Sequence, residues 1–102
     1  MIGIFCETFG DTPRNRIVEF FLELRETDYG LGDVARNLDM NKATVYTIGH
    51  ELIKNQFLVP HRHIGKTQTY ILNRKHPSVK VLIKTFDMLL RQIGEEEIVK
   101  EC

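Results

Sequence analysis

The stretch Leu31-Gly32-Asp33-Val34-Ala35-Arg36-Asn37-Leu38-Asp39-Met40-Asn41-Lys42-Ala43-Thr44-Val45-Tyr46-Thr47-Ile48-Gly49-His50 decides the fold. It reads as two helical segments, 31–38 and 42–54, separated only by Asp39-Met40-Asn41. Helices joined by so short a turn cross at a steep angle and must bury a small shared core. Val34, Leu38, Met40, Val45 and Ile48 are apolar at the spacings that face inward across such a turn. Ala35 stands where the second helix passes closest, a place for a small side chain. Asp39 takes the turn position that needs positive φ, which Asp tolerates better than most residues. Asn41 is a suitable N-cap for the second segment, and Asn55 suits the left-handed residue that closes it.

Upstream, Thr12-Pro13 opens another helix, with Thr as N-cap and Pro where its missing N–H costs nothing. Ile17, Val18, Phe20, Phe21 and Leu24 form its inner stripe, with Arg14, Arg16, Glu19, Glu23 and Arg25 opposite. It is expected to end near Arg25–Glu26, before the turn residues Thr27-Asp28-Tyr29-Gly30. Downstream, the period changes. Phe57–His63 and Thr67–Leu72 are β-branched and aromatic runs around Ile64-Gly65-Lys66, a predicted hairpin whose first strand Pro60 confines to an edge. His76-Pro77 restarts a helix that runs to Gly94. The expected fold is mainly α with a small β-hairpin, in the order helix, helix, helix, hairpin, helix. The chain divides into an N-terminal arm (1–11), a central domain (12–76), a closing helix (77–93) and an acidic tail (94–102).

The 102 residues, 42% of them hydrophobic, suffice for one domain with a modest core and argue against a mostly disordered chain. No run approaches 18 uncharged apolar residues, and the opening apolar stretch meets Glu7 too early for a signal peptide. Cys6 and Cys102, at opposite ends, form no disulfide framework and no zinc pattern, as expected of free thiols in a reducing cytoplasm. A formal net charge of zero conceals segregation. Residues 1–40 carry four Lys/Arg against eight Asp/Glu, residues 41–92 carry nine against two, and the last ten carry one against four. A basic middle between acidic ends fits one polyanion-binding surface.

The stretch 31–50 resembles a helix-turn-helix. With the following hairpin, the chain from about Phe9-Gly10 to Leu90 resembles the winged helix-turn-helix family of prokaryotic transcription regulators, most nearly small archaeal regulators of ArsR/MarR-like type. Phe9-Gly10, Asp33-Val34-Ala35-Arg36 and Tyr70-Ile71-Leu72-Asn73 before a Pro-initiated helix carry that resemblance; Asp39 departs from the common Gly. It implies a sequence-specific, double-stranded-DNA-binding regulator acting as a homodimer on a roughly palindromic site, cytoplasmic and nucleoid-associated. Partition or replication proteins and protein-interaction modules share the fold and remain alternatives.

If the second helix of the pair enters the major groove, Asn41, Lys42, Thr44, Tyr46, Thr47 and His50 face the DNA. Arg62, His63, Lys66, Thr67 and Gln68 form the wing's contribution, reaching a flanking minor groove or phosphates. Gly49 costs about 1 kcal/mol relative to Ala in a helix, so it marks close packing or close approach to the DNA. In the closing helix Val79, Leu82, Ile83, Phe86, Leu89, Leu90 and Ile93 form one stripe, the expected dimer interface, with Val81 and Met88 beyond it. The Met1–Phe9 arm is expected to pack near that surface.

His61 and His63, two apart in a strand, share one face, and the ArsR-like branch includes metal sensors. No thiolate pair or carboxylate stands at ligand spacing, and Arg62 between them repels a cation, so neither a metal nor a cofactor is expected. No small-molecule ligand is identifiable. No nucleophile–base signature or phosphate-binding Gly loop suggests an enzyme.

Overall fold

A computed structural model describes residues 3–101, with side chains through Ile93. Its elements are α1 (Ile4–Phe9), α2 (Pro13–Glu23), α3 (Leu31–Leu38), α4 (Lys42–Lys54), β1 (Leu58–Ile64), β2 (Thr67–Leu72) and α5 (Pro77–Glu101). Thr12 caps α2 by accepting from the Asn15 amide, with Pro13 in the first turn. Asn41 caps α4 by accepting from the Thr44 amide. Between α3 and α4, Asp39 adopts φ 52°, as the turn requires.

Phe21, Ile17, Leu22, Val34, Val45, Leu52, Leu58, Val79 and Phe86 are fully buried and join the helices to the hairpin in one core. Ala35 is buried at the α3–α4 crossing. Gly49 faces inward as well. A Cβ there would stand 2.7 Å from Leu31 Cδ2, so the glycine serves helix packing rather than an approach to DNA.

The hairpin is antiparallel, with Leu58 opposite Leu72 and Ile64 opposite Thr67, closed by Gly65-Lys66 with Gly65 at φ 62°. The register shifts between Pro60 and His63, so two residues oppose Thr69. This bulge breaks the alternation that would have put His61 and His63 on one face. Tyr29 adds a bridge to β2, exchanging both main-chain hydrogen bonds with Tyr70 at 3.0 and 2.9 Å.

Several sequence expectations are corrected. The N-terminal arm contains helix α1, with Phe5 and Cys6 buried; Met1 and Ile2 lie outside the described residues. Helix α2 ends at Glu23; Ile17, Val18, Phe20 and Phe21 are buried as periodicity assigned them, but two residues depart from the assignment. Glu19 is buried, accepting from the Phe5 amide, whereas Leu24 is exposed. Gln56 rather than Asn55 takes positive φ after α4, at 63°. Helix α5 continues through Gly94 to Glu101, so residues 94–101 of the acidic tail have helical backbone; their side chains, and Cys102, are outside the described set.

Val79 and Phe86, expected at a dimer interface, instead fill the protomer's own core, and Leu82 and Ile83 pack against it. Alpha-helical periodicity places core-facing and partner-facing residues on one stripe when a helix outruns its domain. At 25 residues α5 is about 37 Å long. Leu89 and Ile93 stay half-buried on that stripe, while Leu90 is exposed. Val81 and Met88 are exposed on another face.

Candidate nucleic-acid interface

Helix α4 is held by its inner face. Val45, Gly49 and Leu52 are buried, which turns Lys42, Ala43, Tyr46, Thr47 and His50 outward. Lys42 Nζ lies 5.9 Å from the centre of the Tyr46 ring, and His50 meets that ring edge-on at 6.1 Å. Three successive i, i+4 neighbours thus form one cationic and aromatic row.

Across from this row runs the hairpin. A groove of about 320 Å³ separates the two, with Lys42, Tyr46 and His50 on one wall and Lys66, Thr67, Gln68 and Tyr70 on the other. Its floor is α3, with Leu31, Gly32 and Asp33 from the first turn and Arg36 from the last. Gly32 leaves that floor low, since a Cβ there would stand 3.6 Å from both Lys42 Cε and the Tyr46 hydroxyl. Arg36 is exposed and paired with Asp33 one turn earlier. Sequence reasoning missed Arg36 because it sought DNA-facing residues only in the second helix and the wing; an Arg in the last turn of α3 was the available signal.

Not every expected residue reaches the groove. Asn41 and Thr44 line a separate depression with Asp11, Pro13, Arg16 and Met40, on the other flank of α4. The Asn41 side-chain oxygen is engaged by the Thr44 amide at 3.2 Å, and the Thr47 hydroxyl donates to the Ala43 carbonyl at 3.0 Å. The Gln68 amide nitrogen donates to the carbonyls of Arg62 and Thr69, bracing the hairpin. His63 and Lys66 are exposed near its tip.

Arg62 is the largest departure. Its guanidinium donates from Nε to Asp28 at 2.8 Å and from Nη2 at 3.2 Å. The Asp28 carboxylate also accepts from the Thr69 hydroxyl at 2.5 Å. Arg62 and Thr69 hold the Asp28 carboxyl well below the usual carboxylate range. Among the described residues no three metal-binding side chains converge, and no helix is long and apolar enough to cross a membrane.

No protein-family model matches the sequence. No curated protein matches it either. Solved structures do. The Staphylococcus aureus regulator MepR, described as a transcription regulator of the multidrug efflux pump MepA, is 15% identical with a TM-score of 0.63, covering 94% of this chain and 69% of that one. MepR in complex with DNA gives 0.62 at 15% identity, covering 94% and 77%. Reduced HlyU from Vibrio cholerae gives 0.60 at 15% identity, covering 84% of each chain. At this identity the likeness establishes the fold: a winged helix, with α3 and α4 as the helix-turn-helix and β1–β2 as the wing.

Proposed function

We propose that this winged-helix chain is a transcription regulator that binds double-stranded DNA as a homodimer on a roughly palindromic site, without catalysis of its own. One observation carries the reading. Helix α4 and the wing present Lys42, Tyr46 and His50 opposite Lys66 and Thr67 across a single groove. Helix α4 enters the major groove with this row toward the base edges, where Lys42 reaches a guanine edge and Tyr46 a thymine methyl. Lys66 at the wing tip takes a phosphate of the flanking backbone. The likeness to a regulator solved in complex with DNA supports DNA as the partner.

The dimer follows from α5 beyond the core. Leu89, Leu90 and Ile93 continue the apolar stripe where the protomer has less to cover it, and Leu90 is 46% exposed. Pairing about a two-fold axis covers such a surface and sets two α4 helices roughly 34–36 Å apart, one turn of duplex. The unit 12–76 reads the DNA, and α5 sets the spacing.

Selection of bound fragments from random duplexes, followed by sequencing, tests this. The expected result is enrichment of a site with two inverted half-sites. Absence of any enriched duplex, with no salt-sensitive retention, would overturn it in favour of a protein-interaction module.

A further inference from the structure

Three consecutive residues before α3 dock the wing. Asp28, whose side chain is 6% exposed, binds Arg62 and Thr69. Tyr29 pairs with Tyr70 through two main-chain hydrogen bonds. Gly30 lets the wing close in, since a Cβ there would stand 2.7 Å from Thr67 Cγ2. The bulge makes the first contact possible. Arg62 and His61 together oppose Thr69, and the Arg62 amide donates to the Thr69 hydroxyl at 3.2 Å. Strand alternation is thereby reset at the point where Arg62 meets Asp28.

We infer that Asp28 and Arg62 form a clamp that sets the angle of the wing against α4, and that Arg62 is a positioning residue rather than a phosphate contact. The inference rests on the DNA-binding reading for its consequence but not for its geometry. A bidentate guanidinium–carboxylate pair has a fixed planar shape, so it fixes direction as well as distance. The carboxylate is nearly buried and holds a third donor, Thr69, which is itself buried. Releasing Arg62 to a phosphate would leave that carboxylate without its main partner. The wing's remaining cation near the tip is Lys66.

The two roles predict opposite signs for Asp28→Asn. If Arg62 is a phosphate contact, neutralising Asp28 frees it and removes a negative charge, so duplex binding stays equal or tightens. If the pair is a clamp, Asp28→Asn and Arg62→Ala each weaken binding about tenfold, and the double variant is no weaker than either, because both break one coupling. The slope of log affinity against log salt stays at the native value in Arg62→Ala, whereas loss of a phosphate contact lowers it by about one. Hydrogen exchange on the free protein is the second arm. Amides of 58–72 exchange faster in both variants, while those of α4 do not. Arg62 is exposed, so Arg62→Ala keeps this arm open if Asp28→Asn does not fold. A lowered salt slope in Arg62→Ala, or unchanged wing exchange in both variants, overturns the clamp. If the native protein binds no duplex, the function falls and the exchange arm alone decides the clamp.

Discussion

The Glu19 carboxylate, buried on α2, accepts a hydrogen bond from the Phe5 main-chain amide at 2.8 Å. That amide lies in the first turn of α1, where main-chain donors have no partner within the helix and a negative charge is favoured. One side chain therefore anchors a six-residue helix too short to persist alone. It also bears on Cys6: burial first, then the Glu19 charge and hydrogen bond, push that thiol up to about 11.

Glu19→Ala is expected to cost about 2 kcal/mol, the range for removing a buried charged acceptor. Glu19→Gln keeps an acceptor and costs less. Urea unfolding followed by circular dichroism measures both; equal losses would show that the hydrogen bond to Phe5 does not hold α1.

Gly49→Ala should destabilise the protein, although Ala is the better helix former by about 1 kcal/mol. The new Cβ stands 2.7 and 2.9 Å from the two Leu31 methyls. Overpacking of this kind costs about 1–3 kcal/mol, so a net loss of about 1 kcal/mol is expected. Combining it with Leu31→Ala relieves the clash, and the double variant is then less unstable than the two losses summed. A more stable Gly49→Ala would contradict the packing described.

How much of this could be read in the sequence follows the range of the interactions. The caps at Thr12 and Asn41 and the left-handed Asp39 depend on residues within three or four positions, and the chain spells them out. The outward row Lys42, Tyr46, His50 follows from helical spacing alone. Helix α1 has no such local signature, because its anchor is 14 residues away. Glu19 looked solvated for the same reason: its partner is a main-chain amide with no mark in the sequence. Arg62 counted as a free wing cation because Asp28 is 34 residues upstream. Phe86 and Leu90 share a stripe, and only the tertiary fold separates the core residue from the exposed one.

Acid should weaken the contact between α5 and the turn that follows α2. Arg25 donates to Asp87 from both terminal nitrogens, at 3.2 and 2.5 Å, and holds that carboxyl below its ordinary range. A carboxyl depressed in the folded state stabilises fully above its unfolded value, near 4, and loses that contribution as pH falls toward the folded one. The stability difference between native protein and Asp87→Asn is therefore expected to be greatest at neutral pH and to shrink below about pH 4. A pH-independent difference in urea midpoints would contradict this.

Two substitutions in α5 separate core from partner surface. Phe86→Ala, at a site 2% exposed, should cost about 3–5 kcal/mol of stability. Leu90→Glu, at a site 46% exposed, should leave the protomer folded and halve the mass seen by sedimentation at micromolar concentration. A native mass near 11.9 kDa would defeat the dimer outright.

The central claim is that α4 and the wing grip duplex DNA across their shared groove. Its most direct test is the salt dependence of duplex binding, by fluorescence anisotropy, for the native protein, Lys66→Ala and Lys42→Ala. The account predicts a steep native slope, lowered by about one in Lys66→Ala with affinity for all duplexes reduced alike. In Lys42→Ala it predicts a change in preference among base variants of about 1–3 kcal/mol. Native-like affinity, slope and base preference in both variants would contradict it.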